Sequence, residues 1–67
     1  MSTEQTYMTD YVLSGLTQLI MEKQHKTLLE ALDILYNSRL YTQLSDPETG
    51  LYQQSKYYNY ELLQNEL

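Results

Sequence analysis

Cysteine, tryptophan and phenylalanine are all absent from this chain of 67 residues. Without cysteine, neither a disulfide nor a thiolate-bound metal can brace the fold. A chain this short buries only about 60% of the surface its unfolded form exposes, and one small core leaves roughly 3–5 kcal/mol of net stability. Two sources of further stability remain, close helix packing and association with another chain, and association is the expectation here. The lack of thiols is also compatible with a reducing compartment.

Positive charge is scarce as well. Four basic residues stand against nine acidic ones, a formal net charge of −5. Lys23, Lys26, Arg39 and Lys56 are dispersed among carboxylates. Such a pattern offers no cluster of cations to displace counterions from nucleic acid or to hold an anionic membrane, so neither is expected as a direct partner. No apolar run approaches the roughly 20 residues of a membrane-spanning helix, and the first residues show neither the basic start nor the apolar stretch of a signal peptide. A soluble, cytoplasmic protein is expected.

Groups that carry chemistry are equally sparse. The two glycines, Gly15 and Gly50, lie too far apart to build a phosphate cradle. His25 is the only histidine and sits between lysines in an expected interhelical turn, where it meets no partner set for metal or nucleophilic chemistry. Glu30 and Asp33 project from the wet side of a helix, and Asp46 and Glu48 flank a proline in a turn without the oxygen-rich spacing of a calcium loop. The chain therefore reads as a non-enzyme with no catalytic residue, no metal site and no cofactor.

What the chain does have is tyrosine. All eight aromatic residues are tyrosines, and Tyr52, Tyr57, Tyr58 and Tyr60 fall in the last third. Tyrosine joins a large apolar face to a polar tip and is enriched at interfaces. Tyr36, Tyr41 and Tyr60 are assigned to the core with their hydroxyls at its rim. Tyr57 and Tyr58 are adjacent and must point in different directions from a helix, and Tyr52 follows a turn. These last three form the candidate partner-binding group.

Periodicity supplies the architecture. Ser2 and Gln5 resemble a capping box, followed by Met8, Val12, Leu13, Leu16, Leu19 and Ile20 at helical spacing, which predicts a helix over about residues 3 to 24. Thr9 and Lys23 are the polar residues within that arc. Tyr7, Tyr11, Ser14, Gln18 and Met21 form a second, weaker stripe, a surface that a helix lying on one core does not require. Gly15, in the helix interior, marks either a close approach by another element or a tolerated surface glycine.

Thr27 and Glu30 give a second capping box before a strongly apolar helix. Leu28, Ala31, Leu32 and Leu35 are placed at the centre of its buried face, with Leu29, Ile34 and Tyr36 widening the apolar arc past a half circle. Such a helix is expected to be enclosed on more than one side, by its own chain or by a second subunit. Ser38 caps a short helix carrying Leu40, Tyr41 and Leu44 that ends by Ser45. Asp46–Gly50 has dense turn chemistry, and Leu51–Gln54 alternates weakly like a short extended segment. Ser55 caps a last helix with Tyr57, Tyr60, Leu63 and Leu67 on one face. The second and third helices have the lengths of a helix-turn-helix, but its recognition helix would carry Arg39 as its one cation and present Leu40, Tyr41 and Leu44 to the groove.

The stretch Ala31-Leu32-Asp33-Ile34-Leu35-Tyr36-Asn37-Ser38, with Tyr41, Leu44, Thr49-Gly50-Leu51-Tyr52, Gln54-Ser55 and Tyr58 through Leu67, resembles a family of very short, uncharacterised bacterial proteins. The likeness covers about residues 27 to 67. It implies a bacterial cytoplasmic origin and an accessory or toxin–antitoxin-like role in a small gene cassette, and it carries no catalytic motif.

The expectation is thus one all-α domain over residues 1–67, three or four short helices in a small bundle completed by homodimerisation or higher assembly. Its function is that of a protein–protein interaction module, antitoxin-like or regulatory, with an unidentified protein partner. The alternative is an acidic mimic of nucleic acid or a transcriptional accessory subunit, with Glu22, Asp33, Glu61 and Glu66 gathered on one side.

Overall fold

In a computed structural model, which describes residues 2–66, the chain forms four α-helices: α1 (Thr3–Gln24), α2 (Leu28–Tyr36), α3 (Arg39–Ser45) and α4 (Lys56–Glu66). Two single 3₁₀ turns, Pro47–Thr49 and Leu51–Gln53, join α3 to α4. No strand occurs among the described residues. Helix α1, with 22 residues rising about 1.5 Å each, sets the longest dimension of the molecule, 33 Å. The other elements pack along it.

Local capping explains where the helices start. The Ser2 hydroxyl accepts from the Gln5 N–H at 3.2 Å while Gln5 Oε1 accepts from the Ser2 N–H at 2.8 Å. Thr27 and Glu30 repeat the arrangement at 3.2 and 2.9 Å. Each pair satisfies two of the amide donors that a helix start leaves open. The Thr27 backbone N–H, helped by the Thr27 hydroxyl and the charge of Lys26, holds the Glu30 carboxyl below the usual glutamate range. A depressed value means that this cap is at full strength at neutral pH and weakens as pH falls through the lowered value. Between these helices His25 takes a left-handed conformation at φ 54°, and the Lys26 N–H reaches Met21 O at 3.2 Å, closing α1 with the wrapped-back bond of a Schellman turn.

Helix α3 is capped from two directions. The Ser38 hydroxyl accepts from the Tyr41 N–H at 3.1 Å. From the far end of α4, the Glu66 carboxylate accepts from the Arg39 and Leu40 N–H groups at 2.8 and 3.1 Å. A carboxylate at a helix N-terminus both fills orphan donors and opposes the positive end of the helix dipole.

The core draws on all four helices: Val12, Leu16, Leu19 and Ile20 from α1, Ala31 and Leu35 from α2, Leu40 and Leu44 from α3, and Tyr60 and Leu63 from α4. Leu40 and Leu44 are thereby turned inward, so the side of α3 left to solvent carries Arg39, Thr42 and Gln43.

Four expectations need correction or division. Leu51–Gln53 is a 3₁₀ turn where the alternation suggests extended chain. With no strand to pair with, the segment satisfies its amides locally, Gln53 N–H to Gly50 O at 3.1 Å and Gln54 N–H to Leu51 O at 3.0 Å. Leu28, placed at the centre of the buried face of α2, is 51% exposed, because it lies in the first turn beside a groove that no other element fills. On α4 the buried residues are Asn59, Tyr60 and Leu63, while Tyr57 faces solvent and Leu67 lies outside the described residues. Of the tyrosines assigned to the core, Tyr60 is buried and Tyr41 half-buried, whereas Tyr36 is exposed and meets Tyr41 edge-on with ring centres 4.9 Å apart.

Candidate functional site

Helix α1 is exposed along two lines, and each borders a groove. The second stripe expected from the sequence divides between them. Ser14, Gln18 and Met21 turn toward α2 and, with Leu28, Leu32 and Tyr36, line a trough between the two helices. Tyr7 and Tyr11, one helical turn apart and 72% and 73% exposed, face the other way, toward the turn that leads into α4.

Tyr7 and Tyr11 form one wall of a groove of about 490 Å³, with Met8 and Val12 among the lining residues and Tyr52, Gln53, Gln54, Ser55 and Lys56 opposite. This volume falls within the roughly 300–1,000 Å³ range of small ligand sites. The Tyr52 ring is held in place, since its hydroxyl accepts from Gln5 Nε2 at 3.3 Å across the groove's end.

The opposite wall is held from inside by Asn59. This side chain is fully buried, and its Nδ2 donates to Leu51 O at 3.1 Å and Ser55 O at 3.0 Å, with Gln54 O at 3.5 Å. Three backbone carbonyls of the segment that carries Tyr52 and the glutamines thus converge on one amide group of α4. Ser55 caps that helix by accepting from the Tyr58 N–H at 3.1 Å.

Lys56 joins the site to Gly15. A β-carbon at position 15 would lie 2.8 Å from Lys56 Cδ and 3.2 Å from its Cβ. The glycine therefore marks a close approach, made by the lysine stem crossing α1. The Lys56 ammonium sits 5.3 Å from the centre of the Tyr57 ring, within cation–π range.

The three tyrosines singled out from the sequence are thus distributed. Tyr52 is in the groove, Tyr57 adjoins it through Lys56, and Tyr58, about half exposed, lines neither groove. The residues that complete the tyrosine surface, Tyr7 and Tyr11, stand at the other end of the chain. Their i,i+4 spacing is the signal that puts them on one face.

Groups considered for chemistry lie elsewhere. His25 is exposed at the α1–α2 corner, Glu30 is engaged in its cap, Asn37 Nδ2 donates to Asp33 Oδ1 at 3.0 Å, and Asp46 Oδ1 accepts from the Glu48 N–H at 3.0 Å. Among the described residues no three His, Cys, Asp or Glu side chains are grouped to hold a metal ion. No helix among them is long and apolar enough to cross a membrane. No family model matches the chain, and no match was found among curated proteins or solved structures.

Proposed function

We propose that this protein is a non-enzymatic protein–protein interaction module that works as a homodimer. The observation that carries the reading is the amount of large side chain left in water by so short a chain. Tyr7, Tyr11, Leu28, Leu29, Tyr36, Tyr57 and Tyr58 are each about half exposed or more. Scattered apolar residues are normal on a surface, but contiguous apolar patches mark contact sites. Here Leu28 and Tyr36 share one trough with Leu32 and Met21, and Leu29 stands 78% exposed on the same helix.

The α1–α2 trough is the self-association face in this reading. A two-fold arrangement would set the same trough against its copy and cover α2 on the side its own chain leaves open. The tyrosine groove then stays free for a second protein. In the setting the sequence resemblance implies, such a module is an antitoxin-like or regulatory accessory protein, and its acidic surface outside the tyrosine groove favours encounter with a partner that is basic around the segment it inserts. The nucleic-acid mimic is less favoured, because both oxygens of Glu66 are already engaged by backbone amides.

Sedimentation velocity over a concentration series tests the reading. The expected result is a dimer at micromolar concentration, and a Leu28→Glu, Leu29→Glu double variant is expected to sediment as a folded monomer with unchanged helical circular dichroism. A wild-type protein that stays monomeric at several hundred micromolar would end the dimer proposal.

A further inference from the structure

Resting on the interaction-module reading, we infer that the groove between Tyr7, Tyr11 and Tyr52 takes a proline-rich segment that carries an acidic residue beside its prolines. Three properties of the groove select this occupant.

The first is its aromatic surface. Tyr7 and Tyr11 offer exposed rings on one helical face, and the Tyr52 ring opposite them is fixed by Gln5. Flat rings match the faces of proline residues in a polyproline helix, which enters a groove already ordered and so gives up little conformational freedom.

The second is hydrogen bonding. Tyr7, Tyr11, Tyr52, Gln53 and Gln54, whose side chains carry hydrogen-bond donors, are among the residues that line the groove, and Gln53 Nε2 also donates to the Tyr52 hydroxyl at 3.4 Å. A polyproline segment leaves its carbonyls without internal partners and has no proline N–H to satisfy, so it needs donors, which these groups supply. An α-helix has satisfied its own carbonyls and makes no use of such donors.

The third is charge. The chain carries −5 overall, yet the lining of this groove has Lys56 and no carboxylate. The α1–α2 trough shows the reverse, with Asp10 and no cation. A carboxylate next to the prolines would meet the Lys56 ammonium at the groove's edge, with the Tyr57 ring beneath it. An adjacent lysine on the ligand would be repelled.

The experiment titrates the full-length, isotope-labelled protein with two synthetic peptides, five prolines followed by two aspartates and five prolines followed by two lysines, read by amide and side-chain NMR shifts. The aspartate peptide is expected to shift Tyr7, Tyr11 and residues 52–57 and to bind about tenfold more tightly than the lysine peptide. Lys56→Glu is expected to reverse that order. Tyr11→Ala, a substitution at an exposed position, is expected to weaken binding by about tenfold or more with an unchanged melting temperature.

The proposal is overturned if neither peptide shifts these residues at several millimolar, if the shifts map to the α1–α2 trough, or if the two peptides bind alike. It is equally overturned if the tyrosine resonances move with protein concentration alone, which would make a second copy the occupant. A dimer that ignores both peptides removes this ligand and leaves the module, whereas a strict monomer that binds the aspartate peptide removes the dimer and leaves the groove.

Discussion

Asn59→Asp is expected to leave the protein largely unfolded at neutral pH and to recover part of its structure on acidification. Asn59 is fully buried and spends its amide donors on the carbonyls of Leu51 and Ser55, with that of Gln54 nearby, and its Oδ1 has no protein partner. Aspartate has nearly the same shape but brings a carboxylate against those carbonyl oxygens. A buried, unpaired charge costs several kcal/mol, comparable to the roughly 3–5 kcal/mol that a domain of this size has in total.

The protonated acid keeps one O–H to serve one carbonyl, so folding raises the pKa of this group above the ordinary aspartate value of about 3.9. A raised folded-state value gives stability that is full below the unfolded value and is lost as pH rises through the folded one. Urea titrations at pH 4.5 and pH 7, with wild type as reference, measure this. Asn59→Ala, which has no charge to remove, is expected to cost about 2–4 kcal/mol at both pH values. A deficit of the aspartate variant that does not change with pH would mean that its carboxylate finds water, and that the wall of the tyrosine groove is not held as described.

The second large effect comes from comparing two leucines of α2. Leu35→Ala is expected to cost about 3–5 kcal/mol, the transfer of a buried side chain plus the cavity it leaves. Leu29→Ala is expected to change monomer stability by less than about 0.5 kcal/mol. Leu35 is fully buried and Leu29 is 78% exposed. Urea midpoints at low micromolar concentration, where self-association contributes least, check the pair. Equal effects from both substitutions would contradict the packing of α2. A Leu29→Ala loss that grows with protein concentration would place that residue under a second subunit.

Those two leucines also show how far the sequence can be read. The helix starts are legible because a cap is a local device: Ser2 with Gln5, Thr27 with Glu30, Ser38 and Ser55 each act within three residues, and each is found where the pattern predicts. The buried arc of α1 is legible because its apolar residues keep one period. On α2 the apolar residues run nearly all the way round, so periodicity does not say which side the chain covers, and Leu28 is misplaced for that reason.

Asn59 is opaque from the sequence on different grounds. A polar residue becomes a core residue only where its partners converge, and these come from a segment four to eight residues earlier that the sequence suggests is extended and that is in fact wound into a 3₁₀ turn. The candidate site shares that difficulty. Tyr7 and Tyr11 show a helical spacing, but nothing local announces that Tyr52 will stand across from them, because that pairing depends on how α1 and the turn before α4 pack together.

The Glu66 contact gives α3 an unusual dependence. A seven-residue helix is too short to persist by itself in water, and the first two amides of this one are satisfied by a side chain 27 and 26 positions further along. The opening turn of α3 is therefore only partly a local matter: Ser38 meets the Tyr41 amide, but the Arg39 and Leu40 amides are engaged only while α4 is docked. In hydrogen-exchange terms those two amides are expected to share the opening event of the C-terminal helix.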